Sequence, residues 1–284
     1  MSAATTHRFD LTDQTITCYL ARPGRGSGAA APLVLLHGGG VDRRMWGPQL
    51  SAYPERTVIA PDARGHGGSS DADGPHRLAD DVVRLLDALE IDRAVLAGVS
   101  MGGGTAVDTA LEHPDRVAGL VVSGTGTSEP QFSDPWTLST LAEWNAAQER
   151  GDLEGWIDAF MRLGAGPGRT ADDIAPGVWQ LVETMARETV AEHLRVAPDG
   201  TPIPPFPATP VTRTWERLPT IDVPVLALSG GSDGADHRAM CARLAASVPI
   251  GDHQVIPGTG HYPNLEDPVA FDHAVREHLV RHGL

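Results

Sequence analysis

Six short apolar runs constrain this chain more than any other feature: Leu33 to Leu36, Thr57 to Ala60, Ala94 to Ala97, Val117 to Val122, Val225 to Ser229 and Gln254 to Ile256. Each is too short for a helix and is punctuated by turn residues, so each reads as a buried strand. Helical patterns lie between most of them. From Leu78 to Leu89, for example, Leu78, Val82, Leu85, Leu86 and Leu89 recur at three- and four-residue steps. Strands alternating with amphipathic helices make an α/β fold, a mostly parallel sheet covered on both faces. Ligand chemistry in such a sheet gathers beyond the carboxyl ends of its strands. Ahead of the first run, Arg8 to Leu20 alternates weakly, and the Gly/Ala/Ser/Pro stretch from Pro23 to Pro32 reads as flexible.

The alternation fails between Thr127 and Trp215. Helical segments around Leu138 to Glu149, Leu153 to Leu163 and Val178 to Val196 follow one another there with no strand between them. The expectation is an inserted helical cap over residues 127–215, with the core formed by residues 1–126 and 216–284. Eight of the 14 aromatic residues fall in this segment: Phe132, Trp136, Trp144, Trp156, Phe160, Trp179, Phe206 and Trp215. Such rings need an apolar surface to cover, which makes Phe132, Trp136, Trp144, Trp156, Phe160 and Trp179 candidates to line a substrate chamber. The segment ends in Pro198, Pro202, Pro204, Pro205, Pro207 and Pro210, too proline-rich for helix or central strand and therefore an extended return to the sheet.

Charge removes several function classes. With 22 basic residues, all of them arginine, against 37 acidic ones, the formal charge is −15. That field repels phosphate backbones and anionic lipid headgroups, so neither nucleic acid nor membrane is an expected partner. No run of 18 apolar residues occurs, and Met1 to Asp10 lacks the order of a signal peptide, so a cytoplasmic location and a monomer or homodimer are expected. Cys18 and Cys241 fit no metal spacing and read as idle buried thiols. No P-loop, dinucleotide-binding glycine motif or metal-ligand cluster suggests a cofactor, and none is expected.

The strongest chemical signal is Gly98-Val99-Ser100-Met101-Gly102, which joins the expected strand Ala94 to Ala97 to the helix-compatible stretch Met101 to Glu112. A serine forced into a sharp strand-to-helix turn needs minimal neighbours two residues away on each side, and Gly98 and Gly102 supply them. Ser100 then stands at the sheet's carboxyl edge, with a helix N-terminus favouring developing negative charge.

With this motif in its strand and helix context, the chain resembles the α/β-hydrolase family over nearly its whole length. The resemblance implies the α/β-hydrolase fold with an inserted cap. His37-Gly38-Gly39-Gly40 looks like the family's oxyanion loop, which implies that the N–H groups of Gly39 and Met101 form the hole and that Gly40 lies by the substrate. His37 is expected to brace the loop and not to act as the base. Pro61-Asp62-Ala63-Arg64-Gly65-His66-Gly67-Gly68-Ser69 is similar to the family's D-x-R-G-x-G-x-S turn and reads as scaffold.

A serine hydroxyl needs a base, and the base needs a carboxylate to hold and balance it. Among 12 histidines, His261 in Gly258-Thr259-Gly260-His261-Tyr262 resembles the family's G-x-G-H ahead of an E-x-P element, here Glu266-Asp267-Pro268. Its neighbour Tyr262 joins the candidate substrate-binding residues. Others, such as His113, His273 and His278, sit in helical patterns with charged neighbours and read as solvated. Family order places the acid after Val225 to Ser229, where Gly230-Gly231-Ser232-Asp233 is like the family's G-x-x-D; Asp233 is the choice and Asp236 a live rival.

These residues imply a cofactor-independent serine hydrolase of a carboxylic ester or lactone, working through an acyl-enzyme on Ser100, Asp233 and His261. The family's other chemistries leave thioester or C–C bond hydrolysis, a non-hydrolytic biosynthetic catalyst or a ligand-binding protein as alternatives. Serine at the elbow disfavours the dehalogenases and epoxide hydrolases, which use aspartate there. The cap carries 13 acids against six arginines. That balance, with its rings, points to a neutral, medium-sized, apolar or ring-containing small molecule.

Overall fold

The computed structural model describes residues 4–23, 30–198, 202–203 and 205–284. Most of the expected flexible stretch, residues 24–29, and Pro204 of the proline run lie outside it. The weakly alternating leader folds as a hairpin of β1 (Thr5–Asp10) and β2 (Thr15–Ala21). Then follow β3 (Leu33–Leu36), β4 (Val58–Pro61), α1 (Leu78–Ala88), β5 (Ala94–Val99), α2 (Met101–Glu112) and β6 (Val117–Ser123). After the helices between β6 and β9 come β9 (Val225–Gly230), α7 (Ala235–Ser247), β10 (Gly251–Ile256), the one-turn α8 (Pro263–Glu266) and α9 (Pro268–His282).

One eight-stranded sheet runs in the order β1-β2-β4-β3-β5-β6-β9-β10, with β1 and β2 antiparallel at one edge and the other six strands parallel. Its pleat sorts the apolar runs onto two faces. Val34, Leu36, Leu96, Leu120 and Val122 pack on one face with Leu85 and Leu86 of α1, Val107 of α2 and Leu244 of α7. Leu33, Leu35, Val95, Ala97 and Val121 pack on the other with Trp46, Tyr53 and, from α9, Phe271, Val275 and Leu279. Burial on both faces is why these strands read as continuous apolar runs and not as alternating ones.

Between β6 and β9 the chain forms α3 (Pro135–Arg150), α4 (Leu153–Ala165) and α5 (Pro176–His193), a two-stranded ribbon of β7 (Arg195–Val196) and β8 (Pro202–Ile203), and a single turn, α6 (Thr214–Arg217). Capping marks the breaks. Asp134 accepts from Thr137 N at 2.9 Å with Pro135 opening α3, Gly151 closes α3 in the left-handed region, and Asp152 accepts from Gly155 N at 3.0 Å to start α4. α5 stops three residues short of the expected Val196, which pairs in β7 instead. The stop falls where the His193 ring reaches the core loop, Nδ1 to Asp71 at 2.7 Å and Nε2 to Gly67 O at 3.1 Å, just ahead of Pro198. Ile157, Phe160 and Met161 of α4 and Met185 of α5 join the second apolar cluster, so these helices pack onto the sheet's carboxyl side.

Candidate active site

The elbow is enforced by contact. Ser100 sits between β5 and α2 at φ 54°, ψ −116°, a backbone conformation strained for any residue with a side chain. A Cβ at Gly98 would fall 2.2 Å from the backbone of Gly102, and one at Gly102 2.1 Å from Leu36 O. Either position admits only glycine. Ser100 N donates to Ser123 O at 2.8 Å, which clamps the turn to the neighbouring strand.

The His37–Gly40 loop leaves one N–H free among the described residues. Gly38 N lies against the Met45 sulfur at 3.4 Å and Gly40 N donates to His66 Nε2 at 3.2 Å, while Gly39 N has no partner among the described residues. A Cβ built at Gly39 would lie 3.8 Å from that of Met101, whose own N–H, the first of α2, has no preceding turn to accept it. Gly39 and Met101 thus lie side by side at the elbow. His37 braces the loop as expected: its Nδ1 donates to Gly38 O at 2.7 Å and its Nε2 accepts from Ala63 N at 2.9 Å. His66 works alike, donating from Nδ1 to Arg64 O at 2.9 Å. Burial, then the neighbouring His37, pushes its pKa down to about 4, so it is a fixed neutral acceptor for Gly40.

Asp233 and His261 meet. His261 Nδ1 donates to Asp233 Oδ2 at 2.9 Å, with both side chains buried. Burial pulls the imidazole pKa down, but the charge of Asp233 and this hydrogen bond overcome it and raise His261 above its ordinary value. Burial also opposes the ionised Asp233, and the two imidazoles beside it outweigh that and hold its carboxyl well below the usual range. With its proton on Nδ1, His261 presents a bare Nε2, which together with Ser100 Oγ has no hydrogen-bond partner among the described residues. Asp236 is elsewhere. Its carboxylate accepts from Ser133 N and Asp134 N at 2.7 Å each and from Ser133 Oγ at 3.1 Å, fixing the approach to α3.

The surroundings of His261 hold two residues that the sequence reading did not single out. A Cβ at Gly124, at φ 66°, would sit 2.8 Å from His261 Cε1, so the imidazole rests in the space a side chain would fill. His237 Nδ1 lies 3.1 Å from Asp233 Oδ1, giving this carboxylate a second imidazole. It stands four residues after Asp233, where the first turn of α7 brings it back over the acid; that spacing was the available signal. Glu266 orders the histidine loop by accepting from Gly260 N at 2.8 Å, and His261 N donates to Gly164 O of α4 at 2.9 Å.

The aromatic candidates divide into groups. Phe160 lies over Gly40, where a Cβ would be 2.8 Å from its ring, and stacks with Trp156 at 5.3 Å; Trp144 closes the cluster at 5.3 Å from Trp156 and 6.0 Å from Phe160. Tyr262 is buried between Gly38 and Gly164 and lines a small apolar pocket with Trp179, Met161 and Val182. Phe132 meets His237 edge-on at 5.5 Å and Trp136 lies against Gly234, so these two support the acid. Trp215 is core, its Nε1 donating to Glu129 O at 2.8 Å, and Phe206 is exposed.

The two thiols are idle. Burial pushes both up to about 12, and Cys241 Sγ lies 3.0 Å from Thr125 O. His113 pairs with Asp80 at 2.7 Å and His273 is exposed, but His278 is not solvated: it is 1% exposed, on the face α9 turns to the sheet. Its immediate neighbours Arg276 and Glu277 are the exposed ones, while Arg281 reaches back to pair with Asp252. No described helix is long and apolar enough to cross a membrane.

The chain is 29% identical over 259 residues to the pimeloyl-[acyl-carrier protein] methyl ester esterase of Edwardsiella ictaluri, covering 86% of this chain and 92% of that protein. It is 27% identical over 288 residues to 3-oxoadipate enol-lactonase 2 of Acinetobacter baylyi, covering 95% and 96%. Among solved structures, an N-acyl homoserine lactone degrading enzyme superposes with a TM-score of 0.72 at 28% identity, covering 95% of this chain and 99% of that one. The model of the alpha/beta hydrolase family matches residues 33–274, and the chain belongs to that family.

Proposed function

We propose that this protein is a cofactor-independent serine hydrolase that cleaves a carboxylic ester or lactone through an acyl-enzyme. The observation that carries the proposal is the buried 2.9 Å bond from His261 Nδ1 to Asp233, at the same sheet edge as the strained Ser100. Ser100 Oγ attacks the carbonyl carbon as His261 Nε2 takes its proton, and the N–H groups of Gly39 and Met101 receive the oxyanion. The tetrahedral adduct collapses, His261 returns the proton to the leaving alkoxide, and Ser100 is left acylated. Water, deprotonated by the same Nε2, then releases the acid. The esterase and lactonase relatives, aligned over most of their length, support this bond class.

For the substrate we propose a neutral, medium-sized molecule with an apolar or ring-containing group, held under α3 to α5 acting as a lid. Phe160 over Gly40, backed by Trp156 and Trp144, supports an apolar wall beside the oxyanion loop. The acids of this segment serve largely outside it. Glu143 and Asp158 pair with Arg162, Glu154 and Glu183 with Arg187, and Glu188 with Arg44, most of them at exposed positions. Charge therefore excludes polyanions through the net field more than by local contact.

A fluorophosphonate probe tests the mechanism: it should label Ser100 in the wild type and fail in His261→Ala. A neutral ester, a lactone and a coenzyme A thioester of one acyl group, compared by kcat/KM, test the substrate class. The thioester outpacing the ester by more than its intrinsic reactivity would overturn the neutral assignment.

A further inference from the structure

Helix α9 packs Phe271, Ala274, Val275, His278 and Leu279 against the sheet, so His278 occupies a slot in an otherwise apolar stripe. Its ring is 1% exposed, and its one hydrogen-bonding contact, with the backbone of Pro224, is too poorly aligned to make a full bond. Four residues on, His282 shares that face with its ring centroid 4.7 Å away, and its Nε2 is buried and unpartnered. Asp252, near the start of β10, faces both. Its carboxylate lies 3.9 Å from His278 Nδ1 and is held by Arg281 at 2.5 Å. The three side chains can each offer one ligand atom, all within 4.8 Å of one another.

Desolvating an imidazole that has at most one poorly aligned backbone partner is costly, and an apolar residue would fill the slot more favourably. The free lone pair of such an imidazole is one that a metal ion can accept. We propose that Asp252, His278 and His282 form a zinc site that ties α9 to the edge strand β10, at the end of the sheet opposite Ser100. Two imidazoles one helical turn apart and one carboxylate make a nitrogen-rich set, which suits zinc and not calcium or magnesium, and leave a position for water. Arg281 bonds Oδ2, which is also the carboxylate oxygen nearest His278 Nδ1, so zinc would take Oδ1 or displace the guanidinium, which is about half exposed and can turn out into water. The other cluster of this kind among the described residues, Asp233 with His237 and His261, differs in that its imidazole Nδ1 atoms already donate to the carboxylate.

The experiment uses the full chain, stripped with a chelator and titrated with zinc chloride. Wild type should bind one zinc per chain at this site and gain roughly 5 °C in Tm at saturation, as expected for a ligand that binds only the folded state. His282→Ala, which trims a half-buried ring, and Asp252→Asn, which changes one atom, should each weaken that binding at least tenfold and remove the Tm gain. Either variant alone decides the matter if the other fails to fold. Both should keep wild-type activity on a neutral ester within about twofold, because the site lies across the sheet from Ser100. No zinc uptake by wild type at millimolar metal, or uptake and Tm gain that survive both substitutions, would overturn the assignment.

Discussion

The imidazole rings of His237 and His261 lie 4.5 Å apart, centroid to centroid, because both donate to one carboxylate. Asp233 gives Oδ2 to His261 and Oδ1 to His237, and Oδ1 also accepts from Gly234 N at 2.7 Å. An anion this buried is tolerable only when its lone pairs are met, and here they are met by two rings and a backbone amide. The arrangement fixes the tautomer of His261 and leaves its Nε2 without a partner among the described residues.

Activity should rise with pH through a midpoint above the ordinary imidazole value of about 6.5, since only neutral His261 accepts the serine proton and its pKa is raised. His237→Leu should move that midpoint higher still, because Asp233 loses a donor and holds the His261 proton more tightly. The pH dependence of kcat/KM for both proteins checks this; a midpoint that stays put would reduce His237 to packing.

Replacing Asp233 with Asn should lower kcat by about 10⁴-fold, as the amide cannot accept from Nδ1–H. Asp236→Asn should leave kcat within a fewfold. It should instead cost roughly 1–3 kcal/mol in urea unfolding, because Ser133 and Asp134 lose a charged acceptor. Steady-state kinetics and denaturation of the two variants separate the roles, and the reverse ranking would transfer the acid to Asp236.

Ser100→Ala should abolish hydrolysis of an activated ester, by about 10⁴-fold or more, with an unchanged circular dichroism spectrum. Ser100→Gly should be equally inactive yet more stable than Ser100→Ala by about 1 kcal/mol, since glycine relieves the strain at φ 54°. Equal stability of the two would mean that the elbow is not strained.

Gly124→Ala should cut kcat at least 100-fold with a far smaller change in KM, because the added methyl displaces the His261 ring and not the substrate wall. Retention of most of the activity would show that the imidazole can shift without leaving its working position.

The parallel sheet, the elbow and the histidine loop were legible in the sequence because each depends on local rules. Runs such as Leu33 to Leu36 must be buried on both faces, Gly98 and Gly102 have no room for a side chain, and Gly258 to His261 sits at a strand end. The choice between Asp233 and Asp236 was not legible. Both carboxylates are ionised and three residues apart, and only the start of α7 turns one toward His261 and the other toward Ser133. Tertiary structure alone also decided that Gly124, just past the end of β6, makes room for the imidazole, and that His278, set among charged neighbours along the chain, is buried against β10. Chain spacing determines which face of an element a residue occupies; what that face meets depends on how distant elements pack, and a single sequence holds no local record of that.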